Sequence, residues 1–252
     1  MGNDLTHDRL IGELAAALGG HSDGQRSPDD LDAAAGLIRN DREGVRALLD
    51  AIRSDRALAR GVAHRSYWHS NGFAKLVLHA GDPHFRLRLH VWPGQGGPGT
   101  RGGPAAGDEN VHSHRWPFAS VVLCGKIRVE EYVAAPDAGA GEDLYDEYRY
   151  ATVKHGLVGR LEPLGRCVLR PSRSVMYGLG EQHSCRPDVL HTVSPQSPPT
   201  ATLLVQGPAT DRAALVYQRA GRRPLEDTGS GLSGEDVRRL VSITIGAMDE
   251  GG

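Results

Sequence analysis

Phe85-Arg86-Leu87-Arg88-Leu89-His90-Val91-Trp92 is the most regular stretch of this chain. Its apolar residues fall on every second position up to Val91, and a period of two marks a strand with one buried face. A helix would need apolar residues three and four apart. Ala74 to His79 reads as a strand just before it. After it, Val121 to Val133 around Gly125, then Leu161 to Arg170, Asp188 to Val193, Ala201 to Val205 and Ala213 to Gln218 have the same character. Tyr145, Tyr148, Tyr150 and Val153 mark a further run before Gly156. The 33 glycines and 15 prolines lie mostly after residue 80 and separate these runs. Many short strands with turn signals between them predict a β-sandwich or barrel.

Upstream the period changes. Leu10, Ile11, Leu14, Ala15 and Leu18 follow helical spacing, and Gly19-Gly20 stops the run. Ser27-Pro28-Asp29-Asp30 opens a second helix, with a capping serine, proline at the first helical position and acids in the first turn. Leu31, Ala34, Ala35 and Ile38 form its stripe. A third helix is expected after Asp41, with Val45, Leu48, Leu49 and Ile52 on one face. Each helix has one apolar face to bury, so residues 1–60 are expected as a helical layer on a β domain spanning 61–221. Residues 222–252 are expected as a polar tail with a short helix. Ser233-Gly234-Glu235-Asp236 resembles a capping box, while the β-branched residues from Val241 to Ile245 weaken the helix.

Composition excludes several classes. With 29 basic and 31 acidic residues, no bulk charge draws the chain to nucleic acid or a membrane surface. No window approaches the roughly 18 apolar residues of a membrane span, and the N-terminus reads as no signal peptide. Cys124, Cys167 and Cys185 are too few and scattered for a disulfide framework. They are expected as buried, unreactive residues, and the chain as cytoplasmic. Oligomeric state has no signal.

From Pro93 to Gly107, fifteen residues hold seven glycines and three prolines, a long loop without the GK[ST] ending of a phosphate loop. It leads into Val111-His112-Ser113-His114. On a strand, residues two apart share a face, so His112 and His114 would converge, and two imidazoles are half of a site for Fe, Zn, Cu or Ni. His191, in the apolar run Val189 to Val193, is the preferred third ligand. His183, in the expected loop Gly180 to Ser184, competes with it; a strand fixes a ligand better than a loop. Glu109, at odd spacing from His112, is not expected to bind metal, nor is Asp108. Arg86, Arg88 and His90 share one strand face. Facing inward they would bind an anionic group; facing outward they are a solvated face. Trp116 and Phe118 are expected to wall a pocket, and Tyr177 is a candidate proton donor.

Taken together, His112-x-His114, Gly125 eleven residues on, Gly165 with Pro171, and a later strand histidine resemble the two motifs of the cupin superfamily. Cupins usually carry a glutamate four or five residues after the second histidine; Phe118 and Ala119 stand there. That departure resembles the three-histidine cysteine dioxygenase (thiol dioxygenase) type. Leu89 to Gln95, Leu190-His191-Thr192-Val193 and Thr202 to Pro208 are similar to the same type. The resemblance covers residues 67 to 208 in patches. It implies a single cupin (jelly-roll) barrel and an Fe(II) centre on His112, His114 and His191, where O2-derived oxygen enters a small chelating substrate. Two departures bear on that substrate. The family's Ser-His-Tyr relay falls on Thr202, Leu204 and Gln206. Its carboxylate-binding arginine falls on His69, after Tyr67. Tyr67, His69, Leu204 and Gln206 are therefore substrate-binding candidates, and free cysteine is not the expected substrate. The alternatives are a Zn- or Ni-dependent isomerase or lyase, or a cupin that only binds a small ligand.

Overall fold

Four helices open the chain: α1 (Asp4–Gly19), α2 (Pro28–Asn40), α3 (Arg42–Ser54) and α4 (Arg56–Ala63). The computed structural model describes residues 4–19, 28–69, 71–82, 84–94, 109–135, 143–151, 160–210, 213–221 and 230–251. The expected cap at Ser27, most of the glycine-rich loop before His112, most of the insertion after Ala134 and residues 222–229 lie outside the described residues. Asp41 caps α3 by accepting from the Gly44 N–H. Asp55 stops α3 and caps α4, accepting from Ala57 and Leu58, so the helical layer runs past residue 60.

Thirteen strands follow among the described residues: β1 (Tyr67–Trp68), β2 (Ala74–His79), β3 (Arg86–Trp92), β4 (Val111–His112), β5 (Phe118–Cys124), β6 (Ile127–Ala135), β7 (Leu144–Ala151), β8 (Arg160–Tyr177), β9 (Gln182–Cys185), β10 (Leu190–Pro195), β11 (Thr200–Gln206), β12 (Ala214–Arg219) and β13 (Ser230–Gly231). They form two antiparallel sheets, and the fold is mainly β and jelly-roll-like. One sheet has the order β13-β1-β2-β3-β11-β5-β9. The other closes on itself as β10-β4-β12-β7-β8-β6.

The chain crosses between the sheets at Gly125, where φ is +73° and an added Cβ would lie 2.3 Å from Thr200 Oγ1 and 2.8 Å from Pro199 O. Only glycine fits that corner without strain. The last helix, α5 (Gly234–Glu250), is 17 residues long rather than short. Its capping box between Ser233 and Asp236 is formed, and Val237, Leu240, Val241, Thr244, Ile245 and Met248 are buried. Burying an aliphatic side chain contributes about 1.5–3 kcal/mol, which outweighs the weak helix propensity of β-branched residues.

The seven-stranded sheet carries the core on one face. Leu87, Leu89 and Val91 of β3, Ala201, Leu203 and Val205 of β11, and Ala119, Val121 and Leu123 of β5 join one cluster with the helices. Alternation then turns Arg88, His90 and Trp92, Thr202 and Leu204, and Phe118 and Ser120 to the opposite face. That face is not solvated: Arg88 is only 6% exposed. The outward reading of Arg88 and His90 is therefore overturned, because the second sheet stands over them and encloses a polar interior.

Candidate metal centre

His112 and His191 are direct cross-strand partners on β4 and β10. β4 ends at His112, so His114 is held just beyond the strand. Ser113 N–H donates to Leu215 O at 2.9 Å and His114 N–H to Pro187 O at 3.2 Å. The three rings still converge. Centroids lie 4.9 Å apart for His112 and His114, 4.7 Å for His112 and His191, and 5.0 Å for His114 and His191. One ligand atom from each falls within 4.8 Å of the others, so these three could hold a metal ion.

Backbone carbonyls orient two of the rings. His112 Nδ1 lies 3.0 Å from Asn110 O, and His191 Nδ1 lies 3.2 Å from Val189 O. A carbonyl only accepts, so Nδ1 carries the proton and the lone pair is left on Nε2, as a metal requires. Burial, aided by the neighbouring His112, pushes His114 and His191 well below the usual histidine range, so both are neutral at pH 7. Neutral imidazole is the ligating form. His114 also stacks on Trp116, centroids 4.3 Å apart. Phe118 stands edge-on to His114 at 5.2 Å. Where the cupin glutamate was missing from the sequence, the site has an aromatic wall.

Glu109 approaches without joining. Its Oε1 is 4.0 Å from His112 Nδ1, the nitrogen already turned to Asn110 O. The carboxylate accepts from Asn71 Nδ2 at 2.7 Å and from the Val193 N–H. It pins the segment before β4 to β10. Burial raises its pKa, opposed by His112 and the Val193 N–H.

His183 lies on β9, opposite Ser120, and not in the expected loop. The strand argument for preferring His191 therefore does not separate the two; position does. The His183 ring is 6.5 Å from His191, and His183 is outside the converging set. It is buried, and burial first, then Arg173, lowers it to about 4. Tyr177 is not brought to the cavity wall. Its ring packs at 5.3 Å from His183, which stands there instead.

The centre opens into a cavity of about 810 Å³. Tyr67, His69 and Arg86 line it, as do Trp116 and Phe118. Thr202, Leu204 and Gln206 line the sheet side. His69 accepts from the Asn71 N–H through Nδ1 and stacks on Phe73, centroids 4.7 Å apart. Arg86 is exposed. Arg88 packs its guanidinium over Trp116, 4.8 Å from the ring centroid. Lys75 also lines the cavity, with Nζ 3.2 Å from Tyr67 Oη. Lys75 and Asn71 were not singled out in the sequence, and Glu109 was considered there only as a residue that does not bind metal. The available signal was Lys75 itself, one lysine inside the apolar run of β2. The three cysteines are buried and free, and burial raises Cys124 to about 11 and Cys185 to about 12, which makes them poor nucleophiles. Among the described residues, no helix is long and apolar enough to cross a membrane.

No family model and no curated protein matches the chain. Among solved structures it is similar to Streptomyces albus HEPD with substrate 2-hydroxyethylphosphonate (2-HEP) and Fe(II) bound, at 12% identity and a TM-score of 0.32. The match covers 82% of this chain and 42% of that one, so this chain spans less than half the length of that protein.

Proposed function

We propose that the protein is a mononuclear non-haem iron oxygenase of the three-histidine cupin type. In this reading His112, His114 and His191 hold Fe(II), and O2-derived oxygen enters a small organic substrate seated in the adjoining cavity. One observation carries it: among the described residues three imidazoles converge with no carboxylate in the set, beside a cavity of substrate size. The donor set suits iron, and three protein ligands leave positions open for substrate and O2. When bound, Fe(II) supplies the redox chemistry that lets O2 react with an organic molecule. The resemblance to the cysteine dioxygenase type favours an oxygenase over Lewis-acid chemistry on the same ligands.

The chain's own residues do the rest. The Asn110 and Val189 carbonyls hold the imidazoles in the ligating tautomer. Trp116 and Phe118 exclude water beside the centre and pack the substrate's apolar body. Leu204 keeps the sheet side dry where the family carries part of its hydroxyl-imidazole relay. Free cysteine is therefore not the proposed substrate.

The test is O2 uptake by the Fe(II)-loaded protein over a panel of amino acids, thiols and small organic acids, with Zn(II)-loaded protein as control. Substrate-dependent O2 consumption with iron alone is the expected result. Turnover without O2 consumption on zinc or nickel would make the protein an isomerase or lyase. A ligand that raises the melting temperature but is never turned over would make it a binding protein.

A further inference from the structure

The facing of β9 is fixed from the helical layer. Gln182 Nε2 donates to Asp32 Oδ1 of α2 at 3.1 Å, and Ser184 Oγ donates to the same oxygen. Both side chains therefore point to the helices, and His183 between them points the opposite way, to the cavity. His183 lines that cavity while only 6% exposed. Its cross-strand partner on β5 is Ser120, which lines the cavity too and is 5% exposed. Directly opposite residues of an antiparallel pair have Cβ atoms about 4.5–5.5 Å apart on one face, so hydroxyl and imidazole are neighbours. Apolar surface bounds them. The Phe118 ring lies 5.5 Å from that of His183, and Leu204 is the partner of Ser120 on β11.

Among the described residues no hydrogen bond engages the His183 ring or Ser120 Oγ. Gln182 and Ser184, on either side of His183, are both bonded, as buried and half-buried polar groups normally are. A polar pair without partners on a cavity wall is completed from the cavity. Its chemistry says by what. Burial, then Arg173, lowers His183 to about 4, so the ring is neutral at pH 7. Arg173 is itself exposed and paired with Glu131. A neutral imidazole offers one donor and one acceptor, and a hydroxyl likewise gives and accepts. A hydroxyl or carboxamide, which also does both, matches them. An ammonium or carboxylate finds no counter-charge in the pair and loses its water on entering.

We infer that His183 and Ser120 form a specificity subsite in the cavity, which binds a neutral hydroxyl or carboxamide group of the substrate. This rests on the cavity being the substrate site, as proposed above. The His183 ring lies 6.5 Å from His191 and outside the converging set. The subsite is therefore one side chain away from the metal centre, and the group it holds sits close to the part of the substrate that meets the metal. A site built to hydrogen-bond such a group discriminates strongly against an analogue that lacks it, because its own buried polar atoms are then left unpaired.

The test uses metal-free protein, so it depends on neither iron nor O2. Ligand-observed NMR gives dissociation constants for 2-phenylethanol, its isostere propylbenzene, and the ions phenylacetate and 2-phenylethylammonium. The alcohol should bind about tenfold or more tighter than either ion. His183→Phe and Ser120→Ala should each lower the affinity for the alcohol relative to propylbenzene by about fivefold or more, because only the alcohol loses a hydrogen bond. If His183→Phe does not fold, Ser120→Ala carries the test alone. A ratio that stays unchanged in a folded variant would overturn the inference and mean that water completes the pair. An ion that binds tighter than the alcohol would overturn it as well. If the ratio falls as expected but Fe(II)-loaded protein consumes no O2, the subsite stands and the oxygenase reading falls.

Discussion

Leu87, Leu89 and Val91 leave β3 toward the helices, while Arg88, His90 and Trp92 leave the same strand toward the second sheet. Both sets are sheltered from solvent: Leu89 is 0% exposed and Arg88 6%. The helix-facing side chains of β3 are all apolar and belong to one packed cluster. The cavity side contains a guanidinium, an imidazole and a neighbouring amide with unsatisfied atoms. Burial alone therefore does not separate core from site. Satisfaction does: a core closes its own contacts, whereas this cavity face leaves donors and acceptors waiting.

The comparison can be broken most forcefully at adjacent positions. Leu89→Ala should cost about 2–5 kcal/mol in urea unfolding, the ordinary range for a buried leucine. Arg88→Met, one residue away and comparably buried, should cost nothing or stabilise the protein, because it removes an unpaired buried charge. If the arginine variant proves the more destabilising, the two faces are not different in kind.

Acid should act on the cavity side next. An unfolded histidine takes up its proton near 6.5, but His183 in the fold does so only at about 4. The unfolded chain thus binds more protons between these values. The stability His183 contributes is whole above about pH 6.5 and is lost as pH falls toward about 4, a change on the order of 3 kcal/mol. His69, His90, His114 and His191 are shifted in the same direction by burial. Urea unfolding of metal-free protein should show the decline, and His183→Gln should make it shallower. Stability that stays constant across that window would mean the cavity side is wet enough to charge freely.

A smaller effect is expected where the two sheets meet. Gly125→Ala places a methyl group against Thr200 and the Pro199 carbonyl at positive φ, and should cost about 2 kcal/mol. A neutral result there would mean that the corner can relax.

Much of this was readable from the residues. The strict alternation of Phe85 to Val91 announced a strand, and the stripes of α1, α2 and α3 announced helices with one face to bury. His112-x-His114 announced convergence. Whether the Arg88 face of β3 meets solvent was not readable, because alternating arginine and leucine looks the same over a wet surface and over a polar cavity. His183 looked like a loop residue because Gly180 and Glu181 precede it, yet pairing with β5 makes it strand. Glu109 and Asn71 join through contacts distant in sequence, which no local pattern encodes. The long α5 was masked by β-branched residues whose burial could not be seen from spacing alone.

Metal analysis of protein purified without added metal tests the central claim most directly. Native protein should carry about one iron per chain, the stoichiometry of a mononuclear centre. His112→Ala, His114→Ala and His191→Ala should each empty the site, while His183→Ala should retain it. Metal that survives His191→Ala, or that is lost with His183→Ala, would contradict the three-histidine centre.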